Sequence, residues 1–170
     1  GKDHNTPAFA ASQAGPFDKW PTGLGFEYFY GFVGGDANQW QPNLFRNTTQ
    51  IYPFKGDPEW NLITGMADDA IEHINRLNQV DPDKPFFVKY APGATHAPHH
   101  PTREWVDKIS AMKLFDDGYE KLRERIFANQ KKLGVIPADA VLEPWPKDVL
   151  KPWDELTDTE RKLFIKQVEI

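Results

Sequence analysis

MADDAIEHINRLNQV (66–80), DPDKP (81–85), FFVKYA (86–91) and PGATHAPHHP (92–101) follow one another without a break, and their order decides the fold class. In the first segment Ala67, Ala70, Ile71, Ile74 and Leu77 recur at steps of three and four residues, which is one face of a helix. Asp81-Pro82-Asp83 and Lys84-Pro85 stop it. The six residues 86–91 then read as a buried strand, and Pro92-Gly93 opens a polar loop. Helix, turn, apolar strand and loop form the rhythm of an α/β layer, a central sheet with helices on its faces. In such folds catalytic loops sit at the carboxyl ends of strands, so His96, His99 and His100 are the first candidates for chemistry.

Outward from this stretch the pattern changes. Residues 1–65 show little periodicity and are punctuated by Pro and Gly, with an aromatic, β-prone run Phe26-Glu27-Tyr28-Phe29-Tyr30-Gly31-Phe32 too dense in rings to alternate cleanly. They read as an ordered loop layer packed by its aromatics. Toward the other end, residues 103–112 make a short helix candidate. Phe115, Tyr119, Leu122, Ile126 and Leu133 mark a longer one that Gly134 can terminate. Residues 137–152 are extended and Pro-rich. Thr157 with Glu160 forms a capping box, so a last helix starts near Asp158. The opening Gly1-Lys2-Asp3-His4 begins in mid-motif and the last helix stops uncapped at Ile170, so residues 1–170 are expected to be a single segment of a larger domain.

The chain has 170 residues, no cysteine, and 20 Lys plus Arg against 25 Asp plus Glu, for a net charge of −5. The missing cysteine excludes disulfide scaffolds, cysteine metal sites and thiol nucleophiles. The charge balance argues against a nucleic-acid partner, which needs a basic face. No apolar run is long enough for a membrane span, and no signal peptide opens these residues.

Three readings of His96, His99 and His100 stay open at this level: metal ligands, catalytic or anion-binding groups, or a structural loop. The H-x-x-H pair lacks the i, i+4 spacing of a helical zinc site, and no carboxylate is adjacent in sequence. His73 reads as a flanking helix histidine. Asp68-Asp69 and Asp116-Asp117 read as solvated faces or helix starts. Among six tryptophans, Trp40 in Gly34-Gly35-Asp36-Ala37-Asn38-Gln39-Trp40 is the best candidate to stack on a substrate ring. Asn47-Thr48-Thr49 matches a glycosylation sequon and reads as accidental.

Longer motifs add a resemblance. Gly1-Lys2-Asp3-His4-Asn5, the run from Gly15-Pro16-Phe17-Asp18-Lys19-Trp20-Pro21-Thr22-Gly23-Leu24-Gly25 to Phe32, Lys84-Pro85-Phe86-Phe87, Ala91-Pro92-Gly93-Ala94-Thr95-His96-Ala97-Pro98-His99-His100, and Phe127-Ala128-Asn129-Gln130-Lys131-Lys132-Leu133-Gly134-Val135-Ile136-Pro137 together resemble the sulfatase family, and within it the bacterial arylsulfatases. The resemblance runs in order along nearly the whole chain. It implies an alkaline-phosphatase-like α/β sandwich, of which these residues are the middle portion, and a sulfuric ester hydrolase acting on aryl or sugar sulfates.

By the family's motifs, Lys2 contacts the sulfate, His4 hydrogen-bonds a formylglycine nucleophile, and His96 lies near the bridging ester oxygen. Asp3 stands where the family usually has an aromatic. The nucleophile motif, C-x-P-S-R or S-x-P-S-R, is absent; Ser12 and Ser110 have other surroundings. The residues that bind the family's Ca2+ are also expected outside this segment, so no metal ligand is assigned here, and the fragment alone is expected to be inactive. The implied partners are a small-molecule sulfate ester and the remainder of the sulfatase chain. The compartment stays open between bacterial cytoplasm and periplasm. Two alternatives compete: a non-catalytic carbohydrate- or protein-binding module, and a phosphodiesterase or phosphonate hydrolase of the same superfamily.

Overall fold

The structure, a computed structural model, describes residues 1–170 and divides into two compact units, Gly1–Pro101 and Thr102–Ile170. Both helices and strands are present, so the chain is α/β. In the first unit three short strands, β1 (Tyr30–Gly31), β2 (Leu44–Arg46) and β3 (Thr49–Ile51), form an antiparallel sheet in sequence order. Tyr30 lies opposite Arg46, and Leu44 opposite Ile51. The β2–β3 turn uses Asn47 at a φ of 54°, a left-handed conformation that asparagine tolerates. Asn47 is also tied to the strand beside it: its N–H donates to the Phe29 carbonyl at 2.7 Å and its Oδ1 accepts from Phe29 N–H at 3.0 Å. The apparent sequon is thus a hairpin turn.

The aromatic run 26–32 does alternate, with rings on both sides. Tyr28, Tyr30 and Phe32 pack with Leu44, Leu62 and Met66 on one face of the sheet. Phe29 and Val33 pack with Phe45 and Trp20 on the other. From Tyr28 on, both faces are covered, so apolar rings occupy successive positions and the period is hidden in the sequence. Trp20 is fully buried, stands edge-on to Phe45 at 4.8 Å, and donates from Nε1 to the Ala10 carbonyl at 2.8 Å.

Helix α1 spans Leu62–Val80 and is capped by Asn61, whose Oδ1 accepts from Ile63 N–H. Its buried positions are Leu62, Met66 and Asp69, with His73 half-buried. This face is rotated from the one the apolar pattern predicts, for Ile71 is exposed. The reading of Asp69 as a solvated residue is therefore corrected: it is 8 % exposed and holds two partners described below.

Residues 86–91 differ from the expected buried strand. They pair into no ladder of the sheet, and Phe86, Phe87, Val88 and Tyr90 are all exposed, Phe87 at 80 %. Only Ala91 takes up a backbone partner on another segment, accepting at its carbonyl from Lys2 N–H at 2.7 Å. Apolar, β-branched and aromatic residues set a preference for a covered surface; they do not supply the cover.

The second unit contains α2 (Arg103–Ala111), α3 (Tyr119–Lys132) and α4 (Asp158–Glu169). The capping box of α4 forms as its residues require, with Glu160 N–H donating to Thr157 Oγ1 and Thr157 N–H to Glu160 Oε2. Helices α2 and α4 are joined where Ser110 Oγ donates to Glu169 Oε2 at 2.6 Å. Tyr119 stacks on Trp145 at 4.8 Å and meets Trp153 and Phe164 edge-on, an aromatic cluster that roots the Pro-rich segment on α3.

Candidate active site

Three backbone segments lie side by side at the N-terminal end of the chain. Lys2 forms a parallel bridge with Phe32: Phe32 N–H donates to the Gly1 carbonyl at 3.2 Å and Asp3 N–H to the Phe32 carbonyl at 3.0 Å. On its other side Lys2 N–H donates to Ala91. Gly31 allows this approach, because a Cβ there would lie 1.9 Å from the Gly1 oxygen. Past the contact each segment enters a loop: His4 and Asn5, residues 33–40, and residues 92–101.

Asp3 shapes the first loop. Its Oδ2 accepts from Thr6 Oγ1 at 2.9 Å and from the N–H groups of Thr6 and Asn5 at 3.2 and 3.3 Å. An aspartate three residues before a threonine is a local turn signal, so this role is legible in the sequence. His4 is exposed at a φ of 52°, with its imidazole laid over Gly35.

In the second loop Gln39 is 5 % exposed. Its carbonyl accepts from Leu62 N–H at 2.7 Å, its Nε2 donates to the Ala37 carbonyl at 2.9 Å, and its N–H donates to His100 Nδ1 at 3.4 Å. Trp40 is half-buried, its N–H donating to Asn38 Oδ1 at 2.8 Å. In the third loop Gly93 is buried against Phe32 and Gln39, whereas His96 and His99 are exposed. His96 Nδ1 lies 2.7 Å from the Ala97 carbonyl. The His100 carbonyl accepts from Asn61 Nδ2 at 3.4 Å, which joins the loop to the start of α1.

A cavity lies elsewhere in this unit. It has a volume of about 800 Å³ and is bordered by α1, by residues 24–30 and by residues 84–91. Lys2 lines it; His4, His96 and Trp40 do not. On its wall Tyr28 Oη shares its one proton between the two oxygens of Asp69, 2.8 and 2.9 Å away, and behind them Arg46 Nη2 donates to Asp69 Oδ1 at 3.0 Å. The Tyr28 ring stacks on His73 at 4.2 Å. Burial, and then the Asp69 carboxylate beside it, push the Tyr28 phenol up to about 12. Burial first, and Asp69 second, do the same for Tyr30. Sequence patterning missed this network because its members lie far apart along the chain.

The chain matches the sulfatase family over residues 2–129. It belongs to that family. A similar protein is an uncharacterized sulfatase of Schizosaccharomyces pombe, 24 % identical over 164 residues. The match covers 90 % of this chain and 29 % of that relative, so these residues span less than a third of the relative's length. Sulfatases are hydrolases, generally dependent on calcium and a formylglycine nucleophile. No three His, Asp or Glu side chains converge as metal ligands. Neither cysteine nor serine, the two residues from which formylglycine is made, occurs in the loops just described. No helix is long and apolar enough to cross a membrane.

Proposed function

We propose that these residues form the middle portion of a sulfatase catalytic domain that cleaves aryl or sugar sulfate esters, and that Lys2, His4 and His96 belong to its active site. The observation that carries this reading is the parallel pairing of the Lys2 segment with Phe32 and its bond to Ala91. That pairing sends the Lys2–His4 segment and the His96 loop out from adjoining backbones. Each side chain has the chemistry for its role. Ester cleavage builds charge on the non-bridging sulfate oxygens and on the departing oxygen. A lysine cation answers the first and a protonated histidine the second. Histidine can be both proton donor and acceptor near neutrality. Trp40 is half-buried, and its indole has the chemistry to stack on an aryl or sugar ring. The nucleophile and the calcium ligands belong to the rest of the polypeptide.

The test is made in the full-length protein. His96→Ala is expected to reduce turnover by about 10²–10⁴-fold. The loss should be far larger on a sugar sulfate, whose alkoxide needs a proton, than on nitrophenyl sulfate, whose phenolate leaves unaided. Lys2→Ala should reduce both alike. Equal losses for His96→Ala would make it a sulfate binder rather than an acid, and no loss would remove it from the site.

A further inference from the structure

The loop of residues 34–40 touches both histidine-bearing segments. On one side the imidazole of His4 lies over Gly35 so closely that a Cβ at Gly35 would stand 2.8 Å from His4 Nε2 and 2.9 Å from Cε1. The Gly35 backbone does not itself demand glycine, since its φ lies outside the left-handed region; the space is what is reserved. On the other side the Gln39 N–H donates to His100 Nδ1, four residues beyond His96. This bond leaves the ring proton of neutral His100 on Nε2. Gln39 in turn is anchored: its carbonyl is held by the first turn of α1 through Leu62 N–H, and its side chain is buried beside Gly93. Asn61, the cap of α1, holds the His100 carbonyl. His100 is thus held by its ring to the 34–40 loop and by its carbonyl to the cap of α1.

We propose that Gly35 and His100 are positioning residues, Gly35 setting the imidazole of His4 and His100 setting the loop that carries His96. The proposal rests on the reading that His4 and His96 serve sulfate-ester cleavage. Its physical basis is the steep dependence of rate on placement, since a shift of about 1 Å in a reacting group costs on the order of 10²-fold. Neither residue needs to touch the substrate to matter.

The experiment is a pair of comparisons in the full-length enzyme. Gly35→Ala forces the His4 ring aside and is expected to lower kcat about 10-fold or more with KM little changed. In a His4→Ala background the same substitution should be silent, because the group it displaces is gone. At His100, leucine and asparagine have similar shapes, but only asparagine places an acceptor where Nδ1 stood. His100→Leu is expected to lower kcat with the leaving-group dependence of His96→Ala, and His100→Asn to recover most of it. If His4→Ala or His96→Ala leaves turnover intact, the site reading fails and the proposal fails with it. If those variants are impaired but Gly35→Ala costs the same in both backgrounds, or His100→Leu and His100→Asn behave alike, positioning alone is refuted.

Discussion

The Asp69 carboxylate sets a stability test that can be worked out from its contacts. It is 8 % exposed and is held by two donors, the Tyr28 hydroxyl, whose one proton is shared between its oxygens, and Arg46. Bonds to a charged group are worth about 1.5–3 kcal/mol net. Removing one partner of a fully buried ion pair costs about 3–5 kcal/mol. The Arg46 side chain is 52 % exposed, so it can turn to water when the carboxylate is lost, and the lower range applies. Asp69→Asn keeps the shape, removes the charge, and turns a donating NH2 toward the donors. We expect it to cost about 2 kcal/mol, a Tm loss of about 8–16 °C for a unit of roughly this size. Tyr28→Phe should cost about 1–2 kcal/mol in the parent and less than half of that in Asp69→Asn, and Arg46→Met less than either. Thermal melts followed by far-ultraviolet circular dichroism and by tryptophan fluorescence measure all four. An Asp69→Asn within about 0.5 kcal/mol of the parent, or a Tyr28→Phe equally costly in both backgrounds, would refute the reasoning.

At high pH the same wall should fail first. The neutral phenols of Tyr28 and Tyr30 are favoured in the folded state, with values pushed from 10.0 to about 12, so their contribution is complete below pH 10 and disappears as pH rises toward 12. An ultraviolet titration of Tyr28→Phe and Tyr30→Phe against the parent should remove ionisations only from that upper window; their removal near pH 10 would contradict it. Gly31→Ala should separate the Lys2 segment from β1, since its Cβ would meet the Gly1 oxygen at 1.9 Å. Amide exchange at Phe32 and Asp3 should accelerate by more than about tenfold, and unchanged protection would show that the pairing tolerates a side chain.

What the sequence reveals depends on how far its causes reach. The cap of α4 was legible because Thr157 and Glu160 settle it within three residues. Helix α1 is legible as a helix from its repeat, but the repeat begins at Met66, four residues after the helix does. Its true cap is Asn61, hidden behind the glycine at 65 and the Trp60 ring packed on it. Its buried face is not legible, because the third buried position is an aspartate, and only Tyr28 and Arg46, 41 and 23 residues away, make that acceptable. Residues 86–91 show the opposite error, apolar enough to be buried yet exposed. For the candidate site, motif likeness pointed to Lys2, His4 and His96. Gly35, Gln39 and Asn61 carry no signature of their own type, and only the fold places them against the histidine segments.

The uncovered run of residues 86–91 carries a hazard and its remedy in the same letters. Phe86, Phe87, Val88 and Tyr90 have the composition of segments that stack into intermolecular β-structure, and they stand in solvent. Pro85 and Pro92 close the run at both ends, and neither can donate a hydrogen bond to a neighbouring chain. Lys89 sits within it, so copies stacked in register would set one ammonium about 5 Å from the next, a like-charge ladder that opposes growth. These three residues act as gatekeepers of the exposed run.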